Sequence, residues 1–169
     1  TGQEPRALHE YWAPKTQPLG SGGDMHFGFS YATQAALVSV DTTTGEVRVH
    51  RVIAATDVGR AINPLLLQGQ IEGGIAQGLG LAVMEEIIQI DGVIRNGNFT
   101  DYLLPTFLDM PEVVATLIEI PDPHAPLGAK GVGEAPCISS TPAIVNAIRD
   151  ARRQVDGIGK PLDRVPVRP

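Results

Sequence analysis

The chain has 169 residues, a length that suits one domain or one lobe of a larger protein and is enough to bury a core. Apolar residues make up 43% and charged residues 19%, so the composition is that of a globular protein. The formal charge of −6 without a basic patch argues against a nucleic-acid partner. No apolar run is long enough to span a bilayer. The single cysteine, Cys137, excludes an internal disulfide and an iron–sulfur cluster ligated by this chain alone, and with no signal peptide pattern it predicts a cytoplasmic location.

The chain begins with a segment that has no core face of its own. Residues 1–30 are rich in proline and glycine, and we expect an extended arm that lies on another surface. Residues 34–40 and 46–54 then predict a β-hairpin, in which the turn ends at Gly45. We expect residues 31–155 to form the folded lobe and residues 156–169 to form a proline-rich tail.

A long helix with an unusual interior follows the hairpin and a loop at 54–60. Asn63-Pro64 is a helix-start signal, and the helix is expected to run from about Pro64 to about Glu86. Each interior glycine costs roughly 0.5–1 kcal/mol relative to alanine, so a requirement must offset the cost. The pattern predicts bare helix faces that another backbone or a flat ligand can approach closely; the glycines are at 69, 73, 74, 78 and 80.

The rest of the chain predicts short β-structure and one more helix. Residues 86–95 read as a second hairpin that turns at Asp91-Gly92, and Val113–Ile120 reads as a strand. After a long loop at 121–133, Thr141 fits an N-cap and Pro142 a first helical turn. The predicted fold class is α+β, with hairpins and a mixed sheet on which two main helices pack.

Two groups of residues are candidates for function. The loop at 128–134, GAKGVGE, places Glu134 between glycines and a helix, although a tight loop with a solvated glutamate is the simpler interpretation. It is not a Walker A loop, because Lys130 precedes the glycines. On the first helix, Gln70 and Gln77 share a face and offer donors and acceptors to a heterocycle, although packing with surface amides is the simpler interpretation there.

Other reactive side chains show no functional pattern in the sequence. The four histidines lack metal-site spacing, so no metal is assigned directly to this chain. Cys137 has no evident histidine partner, and we interpret it as a small buried hydrophobe, not a nucleophile.

Three blocks are specific in combination: GEVRVHRVIAATDVGRAINPLLLQGQIEGGIAQGLGLAVMEE at 45–86, NGNFTDYLLPTFLDMPEV at 96–113 and GAKGVGEAPCISSTPAIVNAIRDA at 128–151. Their order and spacing resemble the C-terminal part of the molybdopterin-binding (large) subunit of the molybdenum hydroxylases. This is the family of xanthine dehydrogenase, aldehyde oxidase and carbon monoxide dehydrogenase. The resemblance runs from about residue 27 to 153, and the family's large subunit is several times longer.

The resemblance implies roles for individual residues. Glu134 matches the family's active-site glutamate, the general base in hydroxylation of an aldehyde or N-heterocycle with a water-derived oxygen. Gln70 matches a glutamine that hydrogen-bonds the pterin, and Val132 and Gly133 match the loop that lines the molybdenum site. Lys130 receives no defined contact, and the role of the matching Gln77 is unassigned.

The resemblance also implies cofactors and partners. These are molybdenum–molybdopterin, expected in its cytosine dinucleotide form, with iron–sulfur clusters and in some members FAD on other chains or domains. Since the upstream cofactor loop and most of the substrate pocket are missing, we expect the chain to be a fragment or a separately encoded lobe, inactive alone. A non-catalytic assembly lobe is the alternative, and a small nucleotide-binding domain that uses Gly128–Gly133 is a weaker third interpretation.

Overall fold

The computed structural model describes residues 5–157 and 162–169, which form a three-stranded sheet, a small hairpin and two long helices. The elements in chain order are β1 (Ala32–Val40), β2 (Val47–Asp57), α1 (Pro64–Val83), β3 (Gln89–Ile90), β4 (Val93–Ile94), a 3₁₀ turn (Phe107–Asp109), β5 (Glu112–Ile118), a second 3₁₀ turn (Pro126–Gly128) and α2 (Ala135–Asp156).

The main sheet has the order β1-β2-β5 and is mixed, which confirms the predicted α+β class. β1 and β2 pair antiparallel as the predicted hairpin, and Gly45 has a φ of 78° in its turn. β5 pairs parallel with β2, from Arg51 opposite Glu112 to Asp57 opposite Ile118. The prediction of a loop from residue 54 was therefore wrong: pairing with β5 keeps the chain extended to Asp57.

Both helices pack on one face of the sheet, and the core lies between the layers. Val52 and Ala54 of β2 are fully buried against Ile71 and Ile75 of α1, and Ile144 and Ile148 of α2 fill a second cluster with Leu79. The opposite face of the sheet is uncovered in the described part of the chain. Apolar side chains on this face remain well exposed, among them Leu37, Ile53, Val114 and Ile118.

Helix α1 begins where the sequence predicts it. The Asn63 side chain accepts a hydrogen bond from the Leu66 N–H at 3.1 Å, and Pro64 occupies the first turn. The helix ends at Val83, three residues before the predicted Glu86, because the N–H groups of Met84 and Glu85 both turn back to the Gly80 carbonyl.

Helix α2 begins at Ala135, so the prediction of an N-cap at Thr141 was wrong. Pro136, not Pro142, is the proline of the first turn, and Pro142 lies exposed inside the helix. The Thr141 hydroxyl donates across the helix interface to the Gly78 carbonyl at 2.9 Å. The Thr141-Pro142 signal therefore lies inside a helix whose start is set by packing of Pro136 against Gly74 of α1.

The second hairpin agrees with the sequence pattern. β3 and β4 form the second hairpin, with positive φ at Asp91 and Gly92. Residues 5–30 contain no helix or strand. In the tail, the Val167 N–H donates to the Ala82 carbonyl at 2.7 Å. The parts of the predicted arm and tail at 1–4 and 158–161 lie outside the described residues.

Candidate functional site

The loop that leads to Glu134 crosses the end of strand β2 and is hydrogen-bonded to it. The Lys130 N–H donates to the Val58 carbonyl at 3.0 Å, and the Arg60 N–H donates to the Gly128 carbonyl at 2.9 Å. Gly59, with a φ of 65°, lies directly under the crossing, and a Cβ there would stand only 2.8 Å from the Lys130 nitrogen. The glycine is therefore required by the close approach of two backbones.

A buried ion pair adds a side-chain contact to this crossing. The Lys130 Nζ lies 2.5 Å from the Asp57 Oδ2, and only 11% and 5% of the two side chains are exposed. The other Asp57 oxygen accepts the Gly59 N–H at 2.9 Å. Burial alone would raise the pKa of Asp57, but the hydrogen bond from Lys130, the Gly59 N–H and the lysine charge hold this pKa below its ordinary value.

The lowered pKa of Asp57 predicts how stability depends on pH. A carboxyl group with a depressed folded-state pKa adds stability that is present above its unfolded pKa, about 3.9, and is lost as the pH falls through the folded value. We expect the difference in free energy of unfolding between wild type and the double variant Asp57→Asn/Lys130→Met to shrink below about pH 4. Urea unfolding between pH 7 and pH 3 measures it, and a constant difference would contradict the assignment.

Beyond Lys130, the loop alternates between inward and outward residues. Val132 is buried with the α1 core, so only its backbone is available to a ligand. A Cβ at Gly131 or Gly133 would meet nothing within 4 Å, so the loop is open on its outer side. Glu134 is exposed at the N-cap position of α2, and within the described residues its carboxylate has no hydrogen bond or ion pair.

The start of α2, and with it Glu134, is fixed by two neighbours. The Gln34 Nε2 of β1 donates to the Pro136 carbonyl at 2.9 Å. Gly74 of α1 faces Pro136 so closely that a Cβ would stand 2.7 Å from the proline Cβ. Glu134 thus joins a loop anchored on β2 to a helix end anchored on β1 and α1.

The two glycine pairs of α1 serve different purposes. A Cβ at Gly78 would stand 2.9 Å from the Ser140 Cβ and 3.1 Å from the Cys137 carbonyl, so Gly74 and Gly78 allow α2 to approach. At Gly69 and Gly73 a Cβ would meet nothing within 4 Å. The sequence left open whether a backbone or a flat ligand needs these faces. The pair Gly74 and Gly78 receives the backbone of α2, and the pair Gly69 and Gly73 remains open.

The open glycines adjoin the predicted glutamines. Gln70 is exposed and lines a cleft of about 200 Å³ together with Lys130, Arg60 and Asn63. Gln77 is exposed two turns further along the same helix face. The structure therefore brings Gln70 to the first part of the loop, at Ala129 and Lys130. The other predicted residues lie outside the lining of this cleft: Gln77, Val132, Gly133 and Glu134.

The remaining candidates do not form a second site. Burial, followed by the charges of Glu85 and Glu134, raises the pKa of the partly buried Cys137 thiol, which suits a packing role. Across residues 5–157 and 162–169, no group of three or more metal-ligating side chains is arranged to hold a metal ion. In the same residues, no helix is both long and apolar enough to cross a membrane.

The geometry also argues against a phosphate-binding loop. A dinucleotide fingerprint needs a strand that runs directly into the glycine loop. Strand β5 ends at Ile118, and a 3₁₀ turn at Pro126–Gly128 precedes the loop. In addition, the acidic Glu134 occupies the helix N-terminus where a phosphate would bind.

Sequence reasoning missed two residues of this arrangement. Asp57 follows an alternating strand pattern and gave no separate signal, although it is the partner of Lys130. Ser30, in the predicted arm, donates its hydroxyl to the Gly131 carbonyl at 2.6 Å. An acid directly before the Val58-Gly59 turn was the only available sign of a loop anchor.

Comparison with known proteins identifies the family to which the chain belongs. The chain belongs to the molybdopterin cofactor-binding domain family, whose model matches residues 3–111. It is 40% identical over 117 residues to the putative xanthine dehydrogenase molybdenum-binding subunit of Escherichia coli (strain K12), covering 68% of this chain and 15% of that subunit.

Two further relatives support the same family. Identity to the carbon monoxide dehydrogenase large chain of Hydrogenophaga pseudoflava is 33% over 153 residues, covering 89% of this chain and 18% of the relative. The crystal structure of quinoline 2-oxidoreductase from Pseudomonas putida 86 superimposes with a TM-score of 0.69 at 42% identity, covering 72% of this chain and 16% of that one. The chain therefore spans less than a fifth of the length of these relatives.

Proposed function

We propose that this chain supplies one side of the active site of a molybdenum hydroxylase, with Glu134 as the general base. The observation that carries the proposal is the exposed Glu134 carboxylate, free of partners within the described residues and held by a loop anchored at both ends. A solvated surface glutamate does not need such support. The proposed reaction is hydroxylation of an aldehyde or N-heterocycle with a water-derived oxygen.

Residues of helix α1 and of the loop before Glu134 fit a flat pterin. Gly69 and Gly73 leave a bare helix face, and the exposed Gln70 between them offers both donors and an acceptor to a heterocycle edge. The backbone at Val132 and Gly133 is open on the outer side of the loop. We therefore propose that Gln70 binds the pterin and that Val132 and Gly133 line the metal end of the cofactor.

The chemistry is divided between the cofactor and the protein. When bound, the molybdenum cofactor supplies the two-electron oxidation and the oxygen transfer. Glu134 accepts the proton of the attacking oxygen on its carboxylate, and a positioned base of this kind contributes about 10²–10⁴-fold. Gln70 orients the pterin. The bare face at the α1 glycines allows the ring to contact the helix backbone directly, without intervening water.

The rest of the site must come from polypeptide outside this sequence. The family relatives are more than five times as long as the segment matched here, since the chain covers 15–18% of them. We propose that iron–sulfur and FAD units on other chains or domains remove the electrons, that the cofactor is the cytosine dinucleotide form and that the complex is cytoplasmic. The single cysteine of the chain supports a reducing compartment.

The substitution Gly73→Leu tests the proposed cofactor face. A leucine at Gly73 projects into the open space beside Gln70, so we expect the assembled enzyme to lose most of its molybdenum and pterin while the fold is kept. Elemental analysis and pterin release measure this. Gln68→Leu is the control, because Gln68 lies five residues before Gly73, a rotation of about 140° around the helix, and its side chain hydrogen-bonds to Glu72.

The alternative function is that of a non-catalytic assembly lobe. The exposed apolar face of the sheet favours this possibility, because such a face needs a covering partner. If Gly73→Leu and wild type assemble equally well and both lack molybdenum, the lobe only supports the complex. If Gly73→Leu keeps a full complement of cofactor, the pterin lies elsewhere and the proposed face is wrong.

A further inference from the structure

The buried pair of Lys130 and Asp57 has no role in the proposed chemistry, yet it lies four residues before the proposed base. We propose that Lys130 and Asp57 are positioning residues that set the direction of the Glu134 carboxylate. This inference rests on the proposed function of Glu134. It depends on the contacts around the pair and on the glycines between Lys130 and Glu134.

Lys130 is held through both its backbone and its side chain. Its backbone N–H donates to the Val58 carbonyl at 3.0 Å, and its Nζ lies 2.5 Å from the Asp57 Oδ2. Asp57 is fixed in turn, because its Oδ1 accepts the Gly59 N–H and its own N–H donates to the Tyr31 carbonyl at 2.8 Å. Both carboxylate oxygens are thus committed, and the side chain has one orientation.

The two residues directly before β1, Ser30 and Tyr31, also contact Lys130 or the loop. The Tyr31 ring centroid is 5.9 Å from the Lys130 Nζ, within the range of a cation–π contact. The Ser30 hydroxyl donates to the Gly131 carbonyl at 2.6 Å. Arm, β2 and loop therefore meet at the lysine, and the loop cannot shift without breaking a buried charge–charge contact.

The glycines explain why such an anchor is needed. Of the three residues between Lys130 and Glu134, Gly131 and Gly133 have no side chain to pack, and Val132 alone has a side chain buried in the core. Glycine backbones adopt many conformations, so a loop of this composition moves freely unless its ends are fixed. The Lys130–Asp57 pair fixes one end, and the packed start of α2 fixes the other.

The test uses the assembled, molybdenum-loaded enzyme with the double variant Asp57→Asn/Lys130→Met, which removes both charges at once. We expect kcat to fall about 10- to 100-fold, as for a misplaced catalytic group, with KM and molybdenum content near wild type. Hydrogen exchange at the amides of residues 131–134 should become faster. The single variant Lys130→Met, which leaves Asp57 unpaired, should show the same loop exchange with a larger loss of stability.

The exposed pair of Arg51 and Glu112 is the matched control, because it joins β2 to β5 at a similar N–O distance of 2.6 Å but in solvent. Arg51→Met/Glu112→Gln should change neither kcat nor loop exchange. If the Asp57→Asn/Lys130→Met enzyme keeps wild-type kcat and loop exchange, the positioning role is wrong. If wild-type enzyme holds no molybdenum, the proposed function is wrong, and loop exchange alone then decides whether the pair orders the loop.

Discussion

Glu134→Gln is expected to lower the kcat of the assembled hydroxylase by about 10²–10⁴-fold without loss of molybdenum or pterin. Glutamine has the same shape as glutamate but does not accept a proton at neutral pH. The exposed side chain has no hydrogen bond or ion pair within the described residues, so the substitution should leave the fold unchanged. Steady-state kinetics with an aldehyde or N-heterocycle substrate, together with metal analysis, measures the effect.

Glu46→Gln provides the control for this experiment. Glu46 is also exposed and lies at the turn between β1 and β2, away from the proposed site. Its substitution changes the net charge equally and should leave kcat at the wild-type value. Near-normal turnover by fully loaded Glu134→Gln enzyme would show that another group is the base.

Gly78→Ala is expected to destabilise the protein by about 1–3 kcal/mol, the usual cost of overpacking a core. The added methyl group would lie 2.9 Å from the Ser140 Cβ and 3.1 Å from the Cys137 carbonyl. Ser140 is fully buried, and the carbonyl belongs to the α2 backbone, so the clash is relieved only if the two helices separate. Urea unfolding of the purified protein measures the change.

Gly69→Ala is the matched control, and the opposite sign is expected. This position lies on the open face of the same helix, where a Cβ meets nothing within 4 Å. Alanine should then stabilise the helix by roughly 0.5–1 kcal/mol through its higher propensity. Equal stability of Gly78→Ala and wild type would show that the helices are not held at this distance.

The fold was predictable from sequence where the signals are local. The Asp41–Gly45 and Asp91-Gly92 turns and the Asn63-Pro64 helix start all appear as predicted. The start of α2 was not predictable, because Pro136 and Pro142 both fit a first turn and the choice depends on packing against Gly74. The parallel pairing of β5 with β2 is likewise a long-range contact with no local signature.

The candidate site was less predictable than the fold, because its residues lack local signals of their own. Glu134, Gln70, Val132 and Gly133 were identified by family resemblance, and their roles stay predictions. Glycine spacing suggested a close approach on α1 but did not show which glycine pair receives α2. The partnership of Lys130 with Asp57 could not be inferred, since a lysine and an aspartate in separate segments carry no sign that they meet.

The separation of Lys130 and Asp57 by 73 positions has a consequence for biogenesis. Contacts between distant segments form late in folding, after the local β1–β2 hairpin and helix α1. During synthesis Asp57 leaves the ribosome long before Lys130, so the loop has no anchor until most of the chain has emerged. A cofactor that arrived early would find the helix face without the carboxylate, and we therefore expect insertion to follow the emergence of the segment that carries Lys130 and Glu134.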